Sequence, residues 1–390
     1  MVANISVIFY SRYGTMRQLA AAVADGARAD GASVRLREVF DDDGPRVAVP
    51  EPAADWDDLL WAHGLVFAVP TYFGDLPYPI KRFIDSTSPL WRQGALADRV
   101  VTGLTSSTQQ YGGREGTLLS LYRSMYHWGL VTMGADQPGE RVPGVEDNPY
   151  GLAIPAAPGS TAPASQLGAA HRVGRRISGL AARVRGSIVA GPSRPAVRVT
   201  VIYHSVTGST HALAIALADG ARLEGAQVRL RQVDGGGPVP AADIEDLRWA
   251  DAVAFGAPAR IGTMATELLR FLETVETRRP DGWLAGKPVT GFTSTERPHQ
   301  GSESALLALY NAMHQFGAIV VPPGYTAASV ALAGGNPYGV SHTPRGDRPA
   351  ATTLAVARYQ GARLATLAGL LSADQPAMLV NPGGEQQGIR

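Results

Sequence analysis

The 390-residue chain contains no cysteine and only two lysines, Lys81 and Lys287. The first absence excludes disulfides, thiolate metal sites, cysteine-held iron–sulfur clusters and thiol redox chemistry. The second, beside abundant arginine, reads as a codon-composition bias. Charge of one sign is also lacking: the net charge is +1, with no basic run or basic helix face, so neither nucleic acid nor an anionic membrane is expected as a partner. No apolar run approaches the length that spans a bilayer. The N-terminus enters a strand pattern without a charged segment followed by an apolar one, so no signal peptide is read and a cytoplasmic location is expected. Metal-ligand spacings and Ser/His/Asp or Cys/His arrangements do not stand out. Nucleoside-triphosphate and dinucleotide loops are excluded as well, because no Gly-Lys-Ser/Thr ending and no Gly-x-Gly-x-x-Gly follows the first strand.

What is present is a globular composition, 45% hydrophobic and 18% charged, in a chain long enough for two or three domains. Its pattern is internally repeated. Gly31-Ala32-Ser33-Val34-Arg35-Leu36 returns as Gly225-Ala226-Gln227-Val228-Arg229-Leu230, an offset of 194. From Trp61 onward the offset is 188, matching Trp61 to Trp249, Pro70 to Pro258, Gly74 to Gly262 and Asn148-Pro149-Tyr150-Gly151 to Asn336-Pro337-Tyr338-Gly339. The change falls in the loop composition around Asp41–Pro45 and Pro50–Pro52, where extra residues cost little.

Within copy one, strands are expected at Ile5–Tyr10, Ser33–Val39, Gly64–Val69, Val100–Thr105 and Leu130–Met133. Helices are expected at Met16–Asp30, Asp55–Ala62, Pro79–Asp85, Gly116–Trp128 and Ser165–Arg185. Near-continuous apolar strands alternating with helices specify an α/β, doubly wound, flavodoxin-like domain with a five-stranded parallel sheet covered on both faces. Two such domains in tandem follow, 1–185 and 198–372, joined by a linker at 186–197 and followed by a flexible tail at 373–390.

Three loops at the carboxyl ends of copy one's strands carry the chemistry. The first, Ser11-Arg12-Tyr13-Gly14-Thr15-Met16, joins strand to helix and suits a phosphate, with free N–H groups, two hydroxyls and a glycine. The second, Pro70-Thr71-Tyr72-Phe73-Gly74, offers backbone and aromatics to a flat ring. The third runs Ser106-Ser107-Thr108-Gln109-Gln110-Tyr111-Gly112-Gly113 and closes over that ring's other edge. A phosphate at one end and a planar heterocycle at the other describe FMN. Copy two repeats the design with Ser205-Val206-Thr207-Gly208-Ser209-Thr210, then Ala259-Arg260-Ile261, then Ser294-Thr295. An N-cap explains one hydroxyl at Ser11 and Thr15, but not three converging loops in both copies.

The combination of S-R-Y-G-T-M, P-T-Y-F-G, S-S-T-Q-Q-Y-G-G-R-E and N-P-Y-G resembles the WrbA-type NAD(P)H:quinone oxidoreductases, and copy two is similar through S-V-T-G-S-T, P-A-R-I-G-T-M and G-G-N-P-Y-G. The resemblance implies FMN, NAD(P)H as electron donor, a quinone as substrate, and sites formed between subunits. Residue by residue it implies that Trp91 lines the substrate position, that Tyr13 meets the nicotinamide, and that His127 is the catalytic group beside the flavin. Taken alone, Trp91 reads as a core or interface anchor, and His127, among Tyr122, Tyr126 and Trp128, as a packing residue.

Copy two departs from the pattern. Pro298 removes an N–H donor from its third loop and Glu296 adds negative charge there, while Gln315, with His314 beside it, stands where copy one has His127. FMN is expected in copy one; copy two is either a second FMN domain or a structural partner. Because fusion makes each chain a pseudo-dimer, a homodimer of four domains is expected. The alternatives are a flavin reductase, a tailoring oxidoreductase acting on an aromatic or polyketide quinone, and a non-catalytic flavodoxin-like electron carrier.

Overall fold

The computed structural model describes residues 2–41, 51–134, 148–185, 197–235, 238–278, 282–343 and 348–372. The first domain runs β1 (Asn4–Phe9), α1 (Thr15–Ala29), β2 (Ser33–Glu38), α2 (Trp56–Trp61), β3 (Gly64–Pro70), α3 (Tyr78–Ser86), α4 (Ser88–Arg92), β4 (Val100–Ser107), α5 (Arg114–His127), β5 (Val131–Thr132), β6 (Leu152–Pro155) and α6 (Ala164–Arg185). The second opens with β7 (Arg198–Tyr203), α7 (Ser209–Leu223), β8 (Gln227–Gln232), α8 (Ile244–Trp249), β9 (Ala252–Arg260), β10 (Thr263–Met264) and α9 (Thr266–Arg278). It ends with β11 (Pro288–Ser294), α10 (Ser302–Gln315), β12 (Ile319–Val320), α11 (Ala328–Leu332), β13 (Ser341–His342) and α12 (Ala351–Ser372). Residues 186–196 and 373–390, which hold nearly all of the expected linker and the expected tail, lie outside the described residues.

Strand alternation explains why each sheet is covered twice. Ile5, Val7 and Phe9 of β1 enter one core with Leu19, Val23 and Ile177, whereas Ile8 enters the other with Leu59, Phe67 and Ile80. Short α2 is held at its start by a capping box from Asp55 and Asp58. The same Asp58 carboxylate, buried, receives Arg35 at 3.0 Å and Arg37 at 2.9 Å from β2, and Arg35 lies 4.3 Å over Trp61. Asp246, Arg229, Arg231 and Trp249 repeat the arrangement in the second domain.

The strand order is β2-β1-β3-β4-β5-β12-β11-β9-β7-β8. Each domain supplies the doubly wound parallel order, and the two halves are one sheet, because β5 and β12 pair antiparallel through Thr132 and Val320. Two expectations need correction. The fifth strand position is filled by two pieces rather than one: β5 pairs the first half of β4 and β6 the second half. Beyond the Asn-Pro-Tyr-Gly turns the repeat offset drops by one, since α6 and α12 align Gly174 with Gly361. These glycines lie where helices touch: a Cβ on Gly26 would sit 1.9 Å from His171 O, and one on Gly174 would sit 2.0 Å from Val23 O. Gly220 and Gly361 do the same between α7 and α12. Among the described residues, no helix is long and apolar enough to cross a membrane.

Candidate functional site

The first loop of the first domain is built around Ser11. Its Oγ accepts from Gly14 N at 3.1 Å and from Arg17 N at 3.2 Å, which closes the turn onto the start of α1. Gly14, at φ 93°, stands at the head of α1 with no side-chain cap and no acidic residue in the first turn. A side chain is disfavoured at that φ, and the positive end of the helix dipole favours an anion. Thr15 is anchored to Ser160 O at 3.0 Å.

The second and third loops are tied together. Thr71 Oγ1 is 2.9 Å from Thr105 Oγ1 and accepts from Thr117 Oγ1 at 3.1 Å. Gly113, at φ 89°, approaches Gly74 so closely that a Cβ would lie 2.6 Å from Gly74 Cα. Phe73 holds φ 53° with its ring fully exposed, a conformation disfavoured for an aromatic. Tyr111 is also exposed.

Of the sequence-predicted residues, Ser11, Arg12, Tyr13, Thr15, Met16, Pro70, Thr71, Tyr72, Ser106, Ser107 and Thr108 line one cavity. Gly14, Phe73, Gly74, Gln109, Tyr111, Gly112 and Gly113 belong to its three loops without lining it. The sequence reading missed the cavity's fourth wall, Ala156, Ala157 and Pro158. Small residues after an unrecognised strand carry no motif; β6 places them. The set of hydroxyls, helix-terminal amides and the tyrosines Tyr13 and Tyr72 around one cavity fits FMN.

His127 and Trp91 are not among the residues lining this cavity. His127 ends α5, and thirteen residue steps along a helix carry it about 20 Å from the third loop. It faces the second domain instead, with Nε2 3.1 Å from Tyr338 Oη. Burial holds its pKa below the ordinary histidine value against the opposing pull of Glu303. Trp91 Nε1 donates to His127 O at 3.1 Å.

The second domain keeps the outline of the site with its hydroxyls turned inward. Ser205 Oγ accepts from His211 N at 3.2 Å, and Gly208 heads α7 at φ 90° with Ser209 following. Thr210 Oγ1 is 2.8 Å from Ser294 Oγ. Thr295 Oγ1 lies 3.2 Å from Ser302 Oγ and 3.1 Å from Thr343 Oγ1. Val206 and Thr207 are exposed. Ala259 and Arg260 pair with β10, leaving Ile261 at the hairpin tip with φ 53°. Where the first domain has Tyr10, a buried His204 sits with Nδ1 3.2 Å from Asp234 and Nε2 3.6 Å from Glu267.

A family profile described as NADPH-dependent FMN reductase matches residues 10–138, and a flavodoxin-domain profile matches residues 200–305. A protein named NAD(P)H dehydrogenase (quinone) from Deinococcus radiodurans is 32% identical over 194 residues, covering 45% of this chain and 97% of that protein. One of the same name from Aromatoleum aromaticum is 34% identical over 203 residues, covering 47% and 98%. A flavodoxin, WrbA-like protein from Agrobacterium tumefaciens superimposes with a TM-score of 0.35 at 24% identity, covering 46% of this chain and 98% of that one. With relatives this similar covered almost end to end, the chain belongs to the NAD(P)H dehydrogenase (quinone) family and carries two flavodoxin-like domains in tandem.

Proposed function

We propose that the first domain binds FMN in the three-loop cavity and that the protein transfers two electrons from NAD(P)H to a quinone. The balance is NAD(P)H plus quinone plus one proton giving NAD(P)+ plus hydroquinone. FMN, when bound, supplies the redox chemistry, accepting two electrons from one partner and returning them to the other. This chain's residues bind and orient. Ser11, whose hydroxyl hydrogen is not used by Gly14 or Arg17, and the amides at the head of α1 would hold the phosphate. Thr71, Tyr72, Ser106 and Ser107 would frame the ring, and Tyr13, half-exposed at the rim, would meet the nicotinamide.

The observation that carries this reading is the convergence of eleven loop residues on one cavity at the N-terminus of α1. The names of the relatives support the donor and the acceptor. We also propose that two chains associate into a four-domain assembly and that the enzyme works in the cytoplasm, where NAD(P)H is available.

The test is steady-state NADPH oxidation with and without benzoquinone. Oxidation that requires the quinone is expected. Oxidation driven equally by free FMN would make the protein a flavin reductase, and no turnover with either acceptor would make it a carrier.

A further inference from the structure

The two copies of the first and second loops differ in where they carry positive charge. Arg12 of the first domain's loop one corresponds to Val206 in the second domain, and Tyr72 of its loop two corresponds to Arg260. The first two loops of each domain thus hold one guanidinium, supplied by loop one in the first domain and by loop two in the second. Both arginines are exposed. The same charge is placed at the rim by two different routes.

In the first domain the surroundings of that charge are all phenols. Arg12 lines the cavity together with Tyr13 and Tyr72. Its guanidinium lies 5.9 Å over the Tyr13 ring and reaches the side chain of Tyr72. The groups acting on its charge are Tyr72, Tyr13 and Tyr10, and no carboxylate among the described residues pairs with it. Phenols are neutral near pH 7, so they hold the plane of the guanidinium without cancelling its charge. A planar fork of N–H donors, charged at every working pH, is left facing the mouth.

The position of Arg12 separates it from the flavin phosphate. That phosphate is assigned to the head of α1, with the Ser11 hydroxyl and the helix-terminal amides. Arg12 instead lies against Tyr13 and Tyr72, the side chains assigned to the nicotinamide and to the ring. In NADH and NADPH alike, the nicotinamide ribose is joined directly to a diphosphate, whose paired oxygens match a guanidinium fork. The 2′-phosphate of NADPH sits farther off, on the adenosine ribose. Arg12, adjacent in sequence to Tyr13, is therefore placed for the anionic group that both donors share.

We infer that Arg12 binds the diphosphate of the incoming nicotinamide nucleotide and so selects phosphate-bearing hydride donors, NADH and NADPH equally. The inference rests on the proposed FMN site and on the donor meeting Tyr13.

The experiment titrates the oxidised FMN holoprotein with NAD+ and NADP+ by calorimetry, which reads binding without electron transfer. KM is then measured for NADH, NADPH and the phosphate-free donor 1-benzyl-1,4-dihydronicotinamide, with benzoquinone as acceptor. Arg12→Met keeps an unbranched side chain against Tyr13 and removes the charge. It should weaken NAD+ and NADP+ about ten-fold each, the size of one charge-assisted contact, and raise KM for NADH and NADPH to match. For the phosphate-free donor the rise should stay below about two-fold. The difference from wild type should shrink as salt is raised. The inference is overturned if NAD+ binds Arg12→Met within about two-fold of wild type. It is overturned equally if NADP+ alone is weakened, which assigns Arg12 to the 2′-phosphate, or if FMN affinity falls more than NAD+ affinity, which assigns it to the flavin phosphate. A wild-type chain that takes up no FMN overturns the underlying reading; one that takes it up, with NAD+ binding indifferent to Arg12, overturns the inference alone.

Discussion

Arg363, from the last helix of the second domain, donates from Nη2 to Gly129 O in the first domain at 2.7 Å. The same guanidinium donates from Nε to Pro322 O at 3.0 Å and pairs with Asp98, and the residue is only 7% exposed. A buried cation with two of its three partners across the junction costs more to break than a surface pair. Arg363→Met should lower the unfolding free energy by about 3 kcal/mol, read by urea titration. A change below about 0.5 kcal/mol would show that the junction stands on apolar packing alone.

Glu38 ends β2 with one carboxylate oxygen buried and unpartnered. Burial pushes its pKa up to about 7; Arg17 opposes that rise and Glu51 adds to it. A carboxyl whose folded pKa is raised contributes stability below its unfolded pKa of 4.5, and loses it as pH climbs to about 7. The second domain has Gln232 at this position. Glu38→Gln should therefore stabilise the protein at alkaline pH by about 1–2 kcal/mol after allowance for solvent screening, with no gain at acid pH. Equal effects at both pH values would contradict the assignment.

His314 has the opposite sign. Burial pushes its pKa down to about 3, with Arg176 adding to the shift, and Nδ1 has no partner. A depressed base contributes stability above its unfolded pKa of 6.5 that is lost as pH falls toward 3. His314→Phe keeps the stack on Tyr122 and removes the titration. Thermal melts should show wild type losing about 2 kcal/mol relative to the variant by about pH 4.5. Parallel curves for the two proteins would rule this out.

Gly26→Ala tests the helix contacts. The new methyl would meet the His171 carbonyl, backbone that cannot swing away. A loss of about 2–3 kcal/mol is expected, well beyond what helix propensity alone would return as a gain. A stabilised variant would mean that α1 and α6 separate freely.

Much of this was legible in the chain. The repeat, the alternation of strands and helices, and the three loops of the first cavity all follow from local pattern, because apolar periodicity and glycine placement act within a few residues. Relations set by tertiary packing were not legible. β6, four residues long, has too little sequence to declare itself, so Ala156–Pro158 were missed. His127 reads from its motif as a flavin-side residue, and motif order does not reveal that α5 carries it about 20 Å from the third loop. Thr210, Ser294 and Thr295 read as ligand hydroxyls, yet they bond within the protein, and no local signal distinguishes the two uses.

The central claim is that the Ser11–Met16 loop holds a flavin by its phosphate. The most direct measurement is FMN released per chain, compared between wild type and Gly14→Val, where a β-branched residue is forced to the φ of 93° that glycine holds. Circular dichroism, with the milder Ser11→Ala alongside, checks that the fold persists. The account predicts one FMN fewer per chain in Gly14→Val and an FMN dissociation constant weakened about five-fold in Ser11→Ala. Equal FMN content in wild type and Gly14→Val, both folded, would contradict it.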